Sequence, residues 1–518
     1  MPSPTWTIAI DLNGDGDFTD ANEDITSYVM PGSSWQLGFT EPYQAIARAA
    51  TCTLILNNAD KRFSPENSGG ALYPDFDVGK KIKISANYSS TDYVLFNGRV
   101  DDIQPAPNTK GERKTTLISS GFLQEAQGAE VFIPVMENVT GDEVIAEILS
   151  NTTLYPAGLP ADVWTLGVSA LGTDSKLAAI SGYLSAEVGK STFTVIGDEW
   201  TDGISVYGAL RDVAGREAGR VFVDRDGIIN FWNRHYLIEK TSVDATLAET
   251  AFSNMGYVYG QRIINDVIVQ ARPRLIGSSV EQLAQIDKAV KIGAGKTKSI
   301  NFRYRDQDSN AKISGKSLVQ PVKTADYTAT ENEDGTGTDY TESVTAAIID
   351  EKANRCKVEF ANTAPVGVWL QPGAKIQGIK ITDFGIVDAE NDDETSIFVY
   401  QRQPFTYEFV MDDVDVAEGM SNYWLSIWKD PTGRITSVTL PAYRDATTLT
   451  QALTRTIGDR ITLSETQTGN SADYFIIGEI WSLGGKNAFV TWMLEPADNQ
   501  AFWILNTSAL NNSTVLAF

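Results

Sequence analysis

The residues best suited by type and spacing to a chemical site are Asp11, Asn13, Asp15, Asp17 and Asp20, in the run Asp11-Leu-Asn-Gly-Asp-Gly-Asp-Phe-Thr-Asp20. Oxygen ligands at alternate positions can converge on one hard cation, and a glycine permits the sharp turn between them. The spacing D-x-N-x-D-G matches the first half of an EF-hand-type calcium loop. Position twelve, where a bidentate glutamate belongs, is Asn22, and Glu23 follows one residue late. Asp20 or Asp24 would have to substitute in a shorter loop. Two readings stay open: Ca2+ held by these five residues, or an Asp/Gly-rich turn after a strand, which needs no metal.

Other chemistry is sparse. His235 is the only histidine, which removes Ser-His-Asp, Cys-His and HExxH arrangements except in one-histidine forms. It follows the strand end Phe231-Trp-Asn-Arg234 and reads as structural or surface. No G-x-S-x-G elbow and no Walker-type phosphate loop occurs. Carboxylates are too numerous for any pair to stand out as glycosidase acid and nucleophile. Trp424, Trp428, Trp481, Trp492 and Trp503 could stack on sugars, but most sit in alternating, strand-like runs and read as core or interface residues. The expectation is a protein with no catalytic and no cofactor-binding residues, and not an enzyme.

The elements behind these residues begin with bulk properties. A chain of 518 residues implies three or four domains. Its 42% hydrophobic and 21% charged residues make an ordinary globular balance. Cys52 and Cys356, the two cysteines, exclude a cysteine-based zinc site and read as buried thiols. The net charge of −25 argues against specific nucleic-acid binding or adhesion to anionic membranes, yet suits a conduit that DNA passes without sticking. No signal peptide opens the sequence and no run reaches the ~20 apolar residues of a membrane span, so synthesis in the cytoplasm without a membrane anchor is expected.

Along the chain, Trp6–Ile10, Ala50–Leu56, Lys81–Tyr88, Tyr93–Val100 and Thr115–Ser119 read as short strands, giving a small β-barrel or sandwich over 1–125. Residues 126–245 read as an α+β unit. Thr140-Gly-Asp-Glu143 is a capping box ahead of Val144, Ile145, Ile148 and Leu149. A second helix is predicted from Ile204 to Ala218 with Gly219 as its C-terminal cap, then a hairpin turning at Asp226-Gly227. Residues 246–425 read as β-rich with acidic insertions, Thr324–Thr341 and 386–395 being solvated loops. One helix, Ala446–Thr456, interrupts the strands of a closing barrel portion over 426–518.

Three blocks then resemble the minor tail proteins of long-tailed bacteriophages and prophages, of the baseplate-hub (tail-tip) type. The first runs from Ile10-Asp-Leu-Asn-Gly-Asp-Gly-Asp-Phe18 through Asn57-Asn-Ala-Asp-Lys-Arg-Phe-Ser-Pro-Glu-Asn67 to Leu95-Phe-Asn-Gly-Arg-Val-Asp-Asp-Ile103. The second is Ala209–Gly227 with Ile228–Arg234, and the third joins Ile457–Leu463, Asp473–Gly478 and Thr491–Pro496. The resemblance implies a mainly β fold: two small β-barrels of tail-hub type, an α/β domain and a peripheral insertion. It further implies a structural virion protein at the tail tip, a homotrimer that closes the tube and opens for DNA ejection. The implied partners are a distal tail or tube protein, a tape-measure protein, and tail fibre or receptor-binding proteins. The alternatives are a hexameric distal-tail ring protein and a carbohydrate-binding tail adhesin; a calcium-dependent polysaccharide hydrolase is a more remote rival.

Overall fold

Strict alternation marks the first strands. In Thr51–Asn57 the residues Cys52, Leu54 and Leu56 are buried while Thr51, Thr53 and Ile55 face the other way, as a sheet with one core face requires. The computed structural model describes residues 3–106, 112–133, 135–152, 184–200, 203–260, 262–352, 354–484 and 487–497. Strand outweighs helix, 46% against 16%, so the fold is mainly β.

Six strands come from the first 120 residues: β1 (Thr5–Asp11), β2 (Ser33–Gly38), β3 (Thr51–Asn57), β4 (Lys81–Tyr88), β5 (Thr91–Ala106) and β6 (Lys114–Ser120). They pair in the order β1-β4-β5-β6-β3-β2. Six more, Ala245–Ala248, Asn254–Tyr259, Gly433–Pro441, Arg460–Ser464, Ser471–Gly484 and Asn487–Pro496, form a second half. The two halves share one twelve-stranded sheet, because β2 pairs antiparallel with Ser471–Gly484.

That join has a steric condition. Ser471–Gly484 pairs through its first residues with Arg460–Ser464 and through Gly478–Leu483 with β2, so it changes neighbour near Ile477. Gly38 and Gly478 face each other there. A Cβ on Gly478 would lie 2.3 Å from the Phe39 carbonyl oxygen, and one on Gly38 would lie 2.6 Å from that of Ile477. Gly38 also has φ +89°, a region that disfavours any side chain. Directly beside this crossing, Trp35 and Trp481 stack as a cross-strand pair, ring centroids 5.8 Å apart and planes 11° apart. Trp6 of β1 lies edge-on to both at 6.1 Å. The far strand β1 thus curls back onto β2 through side chains.

The α+β unit sits against this sheet. Its helix Gly141–Ser150 carries the predicted capping box, with the Thr140 N–H donating to Glu143 Oε2 at 2.9 Å. Helix Val206–Glu217 is capped by Ser205, whose Oγ accepts from the Gly208 N–H. At its other end the left-handed residue is Ala218, φ 53°, and not the predicted Gly219. Gly219 is needed for closeness instead: a Cβ there would meet the Trp232 carbonyl oxygen at 2.4 Å.

Two readings from sequence need correction. Residues 386–395 are not a loop: Val387–Asp392 is a strand paired with Asp266–Ala271, and Asp393 caps helix Glu394–Tyr400. Its acids alternate, so one face carries Asp388, Glu390 and Asp392 to solvent while Ala389 and Asn391 turn inward. Val414–Trp428 is a helix capped by Asp413. Trp424 and Trp428 therefore lie one turn apart on its buried face, with Ala417 and Met420, and not in strands.

The unit expected over 246–425 is also divided. Its first strands, Ala245–Ala248 and Asn254–Tyr259, belong to the twelve-stranded sheet, and 264–271 with 404–428 packs into the main core. Leu283 to Ile376 builds a second, separate core, a peripheral unit centred on Phe302, Tyr304, Val358 and Phe360. Within it the predicted loop Thr324–Thr341 buries Tyr327 and Ala329, the latter in a short strand, Ala329–Thr330. Cys52 lies in the main core and Cys356 in the peripheral one, both as free thiols. Burial pushes the Cys356 thiol up to about 12, which leaves it unreactive at neutral pH.

Two separate cores predict two separable unfolding transitions. Phe360→Ala should cost the peripheral unit ~3–5 kcal/mol and Trp481→Ala the main body a similar amount. Each should shift one calorimetric transition and leave the other in place; one shared transition moved by both would show a single cooperative body.

Candidate functional site

The loop between β1 and residue 24 brings three of the five predicted metal ligands together. The carboxylates of Asp15, Asp17 and Asp20 lie within 4.8 Å of one another, all exposed. Asn13 stands among them: its amide nitrogen donates to Asp15 Oδ2 at 2.9 Å and Asp20 Oδ2 at 2.6 Å. Its oxygen accepts from the Asp15 N–H. The Asp15 carboxyl is held below the usual range by the Asp17 backbone N–H and by Asn13.

Asp11 has a different task. It is buried at the end of β1, and its two oxygens accept from the N–H groups of Gly14 and Gly16 at 2.6 and 3.1 Å. Glu23 works the same way from the other side, accepting from the Leu12 and Asp20 N–H groups at 2.9 and 3.1 Å. The glutamate one place late for an EF-hand is thus a brace for the loop, buried at 1% exposure. Three exposed carboxylates form an all-oxygen donor set, which fits a hard divalent cation such as Ca2+, while Asn13 presents its amide nitrogen to two of them and its oxygen to the Asp15 N–H.

A second set of residues, missed from sequence, fastens the units together. Arg225, in the turn of the hairpin Arg220–Val223/Ile229–Trp232, reaches into the second half of the sheet. Its Nε and Nη2 donate to the Glu479 carboxylate at 2.6 and 2.5 Å, and Nη1 and Nη2 donate to the Leu453 and Arg455 carbonyls. Trp481 Nε1 donates to the same carboxylate at 3.2 Å. Arg220 pairs with buried Glu495, which also accepts from the Tyr43 N–H. The hairpin completes this seam by exchanging backbone hydrogen bonds with Ala45 and Ala47, each at 2.8 Å. The legible signal was a lone acid inside an apolar strand, as in Phe475-Ile-Ile-Gly-Glu-Ile-Trp481: such a charge must find a partner when buried.

The peripheral unit is held by ions too. Its strands Arg274–Gln285 and Lys375–Asp383 leave the body side by side, Arg274 opposite Asp383. Arg274, 1% exposed, binds Asp198, Asp412 and the Val195 carbonyl. Asp212, Arg216, Glu199, Arg272 and Asp383 alternate in sign from helix Val206–Glu217 to the neck. Burial opposes ionisation of Glu199, but Arg216 and Arg272 outweigh it and bring its pKa below the ordinary value. Lys316 of the peripheral unit pairs with Glu137 of the body. A cleft of about 670 Å³ lies alongside, lined by Asp198, Glu199, Arg272, Asp306 and Lys380.

The remaining sequence candidates fall in structural places. His235 precedes the short helix Tyr236–Glu239, its Nδ1 4.0 Å from Glu239. Trp424, Trp428, Trp481 and Trp492 are all buried and present no face to a sugar. Trp503 lies outside the described residues.

No protein-family model matches the sequence, and no curated protein matches it. Solved structures do. The tail protein from Neisseria meningitidis MC58 aligns with 95% of this chain and 96% of its own length, at 9% identity and a TM-score of 0.46. The tail protein of prophage MuSo2 from Shewanella oneidensis aligns with 95% of this chain and 99% of its own, at 10% identity and a TM-score of 0.48. A prophage tail protein from Listeria monocytogenes EGD-e aligns with 94% of each chain, at 7% identity and a TM-score of 0.41.

Two outcomes are expected. Terbium, as a luminescent calcium analogue, should bind the loop with a dissociation constant of roughly 10⁻⁴–10⁻³ M, the range of open extracellular sites. Asp15→Asn with Asp17→Asn should abolish the signal; an undiminished signal would place the ion elsewhere. Arg225→Ala should destabilise the main body by about 3–5 kcal/mol, because it strands a buried carboxylate, whereas Arg225→Met with Glu479→Leu should recover most of that loss. Denaturant midpoints measure both, and equal losses in the two variants would rule out the pair as the cause.

Proposed function

We propose that this chain is a structural subunit of a bacteriophage-type tail, placed at the tail tip as the hub that closes the tube. The observation that carries the reading is the fused sheet: one chain offers two six-stranded halves joined edge to edge through β2 and Ser471–Gly484. We read the halves as the paired barrels of a hub. Three such chains in a closed ring offer six near-equivalent faces, which lets a threefold ring dock on a sixfold tube.

The rest of the molecule suits that placement. The α+β unit is riveted to the sheet through Arg225–Glu479 and Arg220–Glu495 rather than hung from a linker, so load on one passes to the other. The charge of −25 suits a wall that DNA slides past. The partners in this reading are a distal tail or tube protein above, a tape-measure protein within, and fibre or receptor-binding proteins outside, with a Ca2+-stiffened loop after β1. The role is architectural, and any cutting of the cell wall belongs to another chain.

Reconstruction of whole particles by electron cryo-microscopy tests this directly. Three copies closing the distal end of the tube are expected. Six copies in a ring above the tip would make the chain a distal-tail protein instead, and absence from the tail would overturn the reading.

A further inference from the structure

The peripheral unit shares no apolar seam with the body. Among the described residues, no side chain between 272 and 388 belongs to the main core or packs against it. Leu275, Val280 and Phe384, large apolar side chains where the strands leave the body, are exposed. Units of one chain move relative to one another unless a large apolar interface prevents it.

The root of the connection is fixed. Arg274 stands opposite Asp383 and donates to Asp198 and Asp412, and the Phe384 N–H donates to the Pro273 carbonyl at 3.2 Å. The ladder then runs through Leu275–Thr382 to Ile276–Ile381 and breaks. The next pair is Val280–Ile379, so Gly277, Ser278 and Ser279 stand against Lys380 alone. A bulge that sets two residues against one already bends its strand, and this one sets three. Strand Ser314–Val319 joins the other side of Lys375–Asp383 only from Ile381 outward. Between the clamped root and this three-stranded part lies a short two-stranded stretch, with slack in one of its strands.

Beyond the root, one ion pair among the described residues crosses from the unit to the body, Lys316 of that third strand with Glu137. A cleft of about 670 Å³ lies between unit and body, lined from the body by Asp198, Glu199 and Arg272 and from the unit by Lys312, Asn354 and Lys380. We propose that the peripheral unit is an arm, hinged at the Gly277–Ser279 bulge and latched to the body by Lys316–Glu137. Release of the pair lets the arm swing and changes the width of the cleft.

Spin labels on the full-length protein read this motion. One label sits on the arm at Ser299→Cys and the other on the body, at Gln467→Cys or at Ser68→Cys, so that two directions are sampled; all three positions are exposed. Cys52 and Cys356 are buried and stay unlabelled. Wild type should give one narrow distance distribution. Glu137→Gln should widen it at least about twofold in one or both label pairs, since a single partly exposed ion pair is a weak fastener. High ionic strength should do the same to wild type. Deleting Ser278 and Ser279 restores one-to-one pairing and, because two residues go, leaves each later side chain on its own face. In the Glu137→Gln background that deletion should return the distribution to its narrow form. Glu342→Gln, which breaks the Lys323–Glu342 pair inside the arm, should leave the width unchanged. Calorimetry of Glu137→Gln should show the peripheral transition unmoved, which separates swinging from unfolding. A wild-type distribution already as wide as that of the variant, no widening in either label pair, widening that the deletion fails to reverse, or loss of the peripheral transition would each overturn the proposal.

Discussion

The pairing of β2 with Ser471–Gly484 is the constraint on which the rest depends. It merges two sheets that would otherwise each end in an open edge, and open edges recruit other chains. Because Gly38 and Gly478 allow the backbones to touch, one strand can serve both halves, pairing first with Arg460–Ser464 and then with β2. The three tryptophans packed beside the crossing turn a line of hydrogen bonds into a solid joint. The α+β unit then reads that joint directly, since Glu479, next to Gly478, is the residue that takes Arg225.

Buried ion pairs fasten both other units, and their energetics differ from those of the cores. Desolvating an arginine and a carboxylate costs about as much as their attraction returns, so such pairs add little net stability over apolar contacts. What they add is exclusivity: Arg225 satisfies one carboxylate and two carbonyls in a single orientation. The neck follows the same logic, with Arg274 spanning Asp198, Asp412 and a carbonyl. Apolar surfaces could slide; these contacts have one register.

Elements stated by local rules were legible in the sequence. The capping box at Thr140, the hairpin around Asp226-Gly227 and the alternating strands of the first 120 residues all stand where their residues put them. Helix Val414–Trp428 was hidden because Tyr423, Trp424, Ile427 and Trp428 are β-prone types, although Ala417, Met420, Trp424 and Trp428 keep helical spacing. The strand Val387–Asp392 was masked by acids that occupy only its outer face. Of the loop's candidate residues, the closeness of Asp15, Asp17 and Asp20 followed from their spacing, whereas the inward turn of Asp11 and the bracing by Glu23 depend on where the loop's N–H groups point. The seam residues Arg225 and Glu479 lie 254 positions apart, a separation no local pattern reports.

The same join has a consequence in time. Residues 33–38 leave the ribosome long before residues 478–483, which cover their edge. At about 5–20 residues per second, the roughly 440 residues between them take on the order of 20–90 seconds to synthesise. Throughout that interval β2 is an uncovered strand whose eventual partner does not yet exist, on a nascent chain that already contains its stacking tryptophan. Polysomes crowd such chains side by side, and strand-for-strand exchange between neighbours is the hazard. Expression yield should thus depend on how well that early edge is shielded, by a chaperone or by slow initiation, more than on the stability of the finished protein.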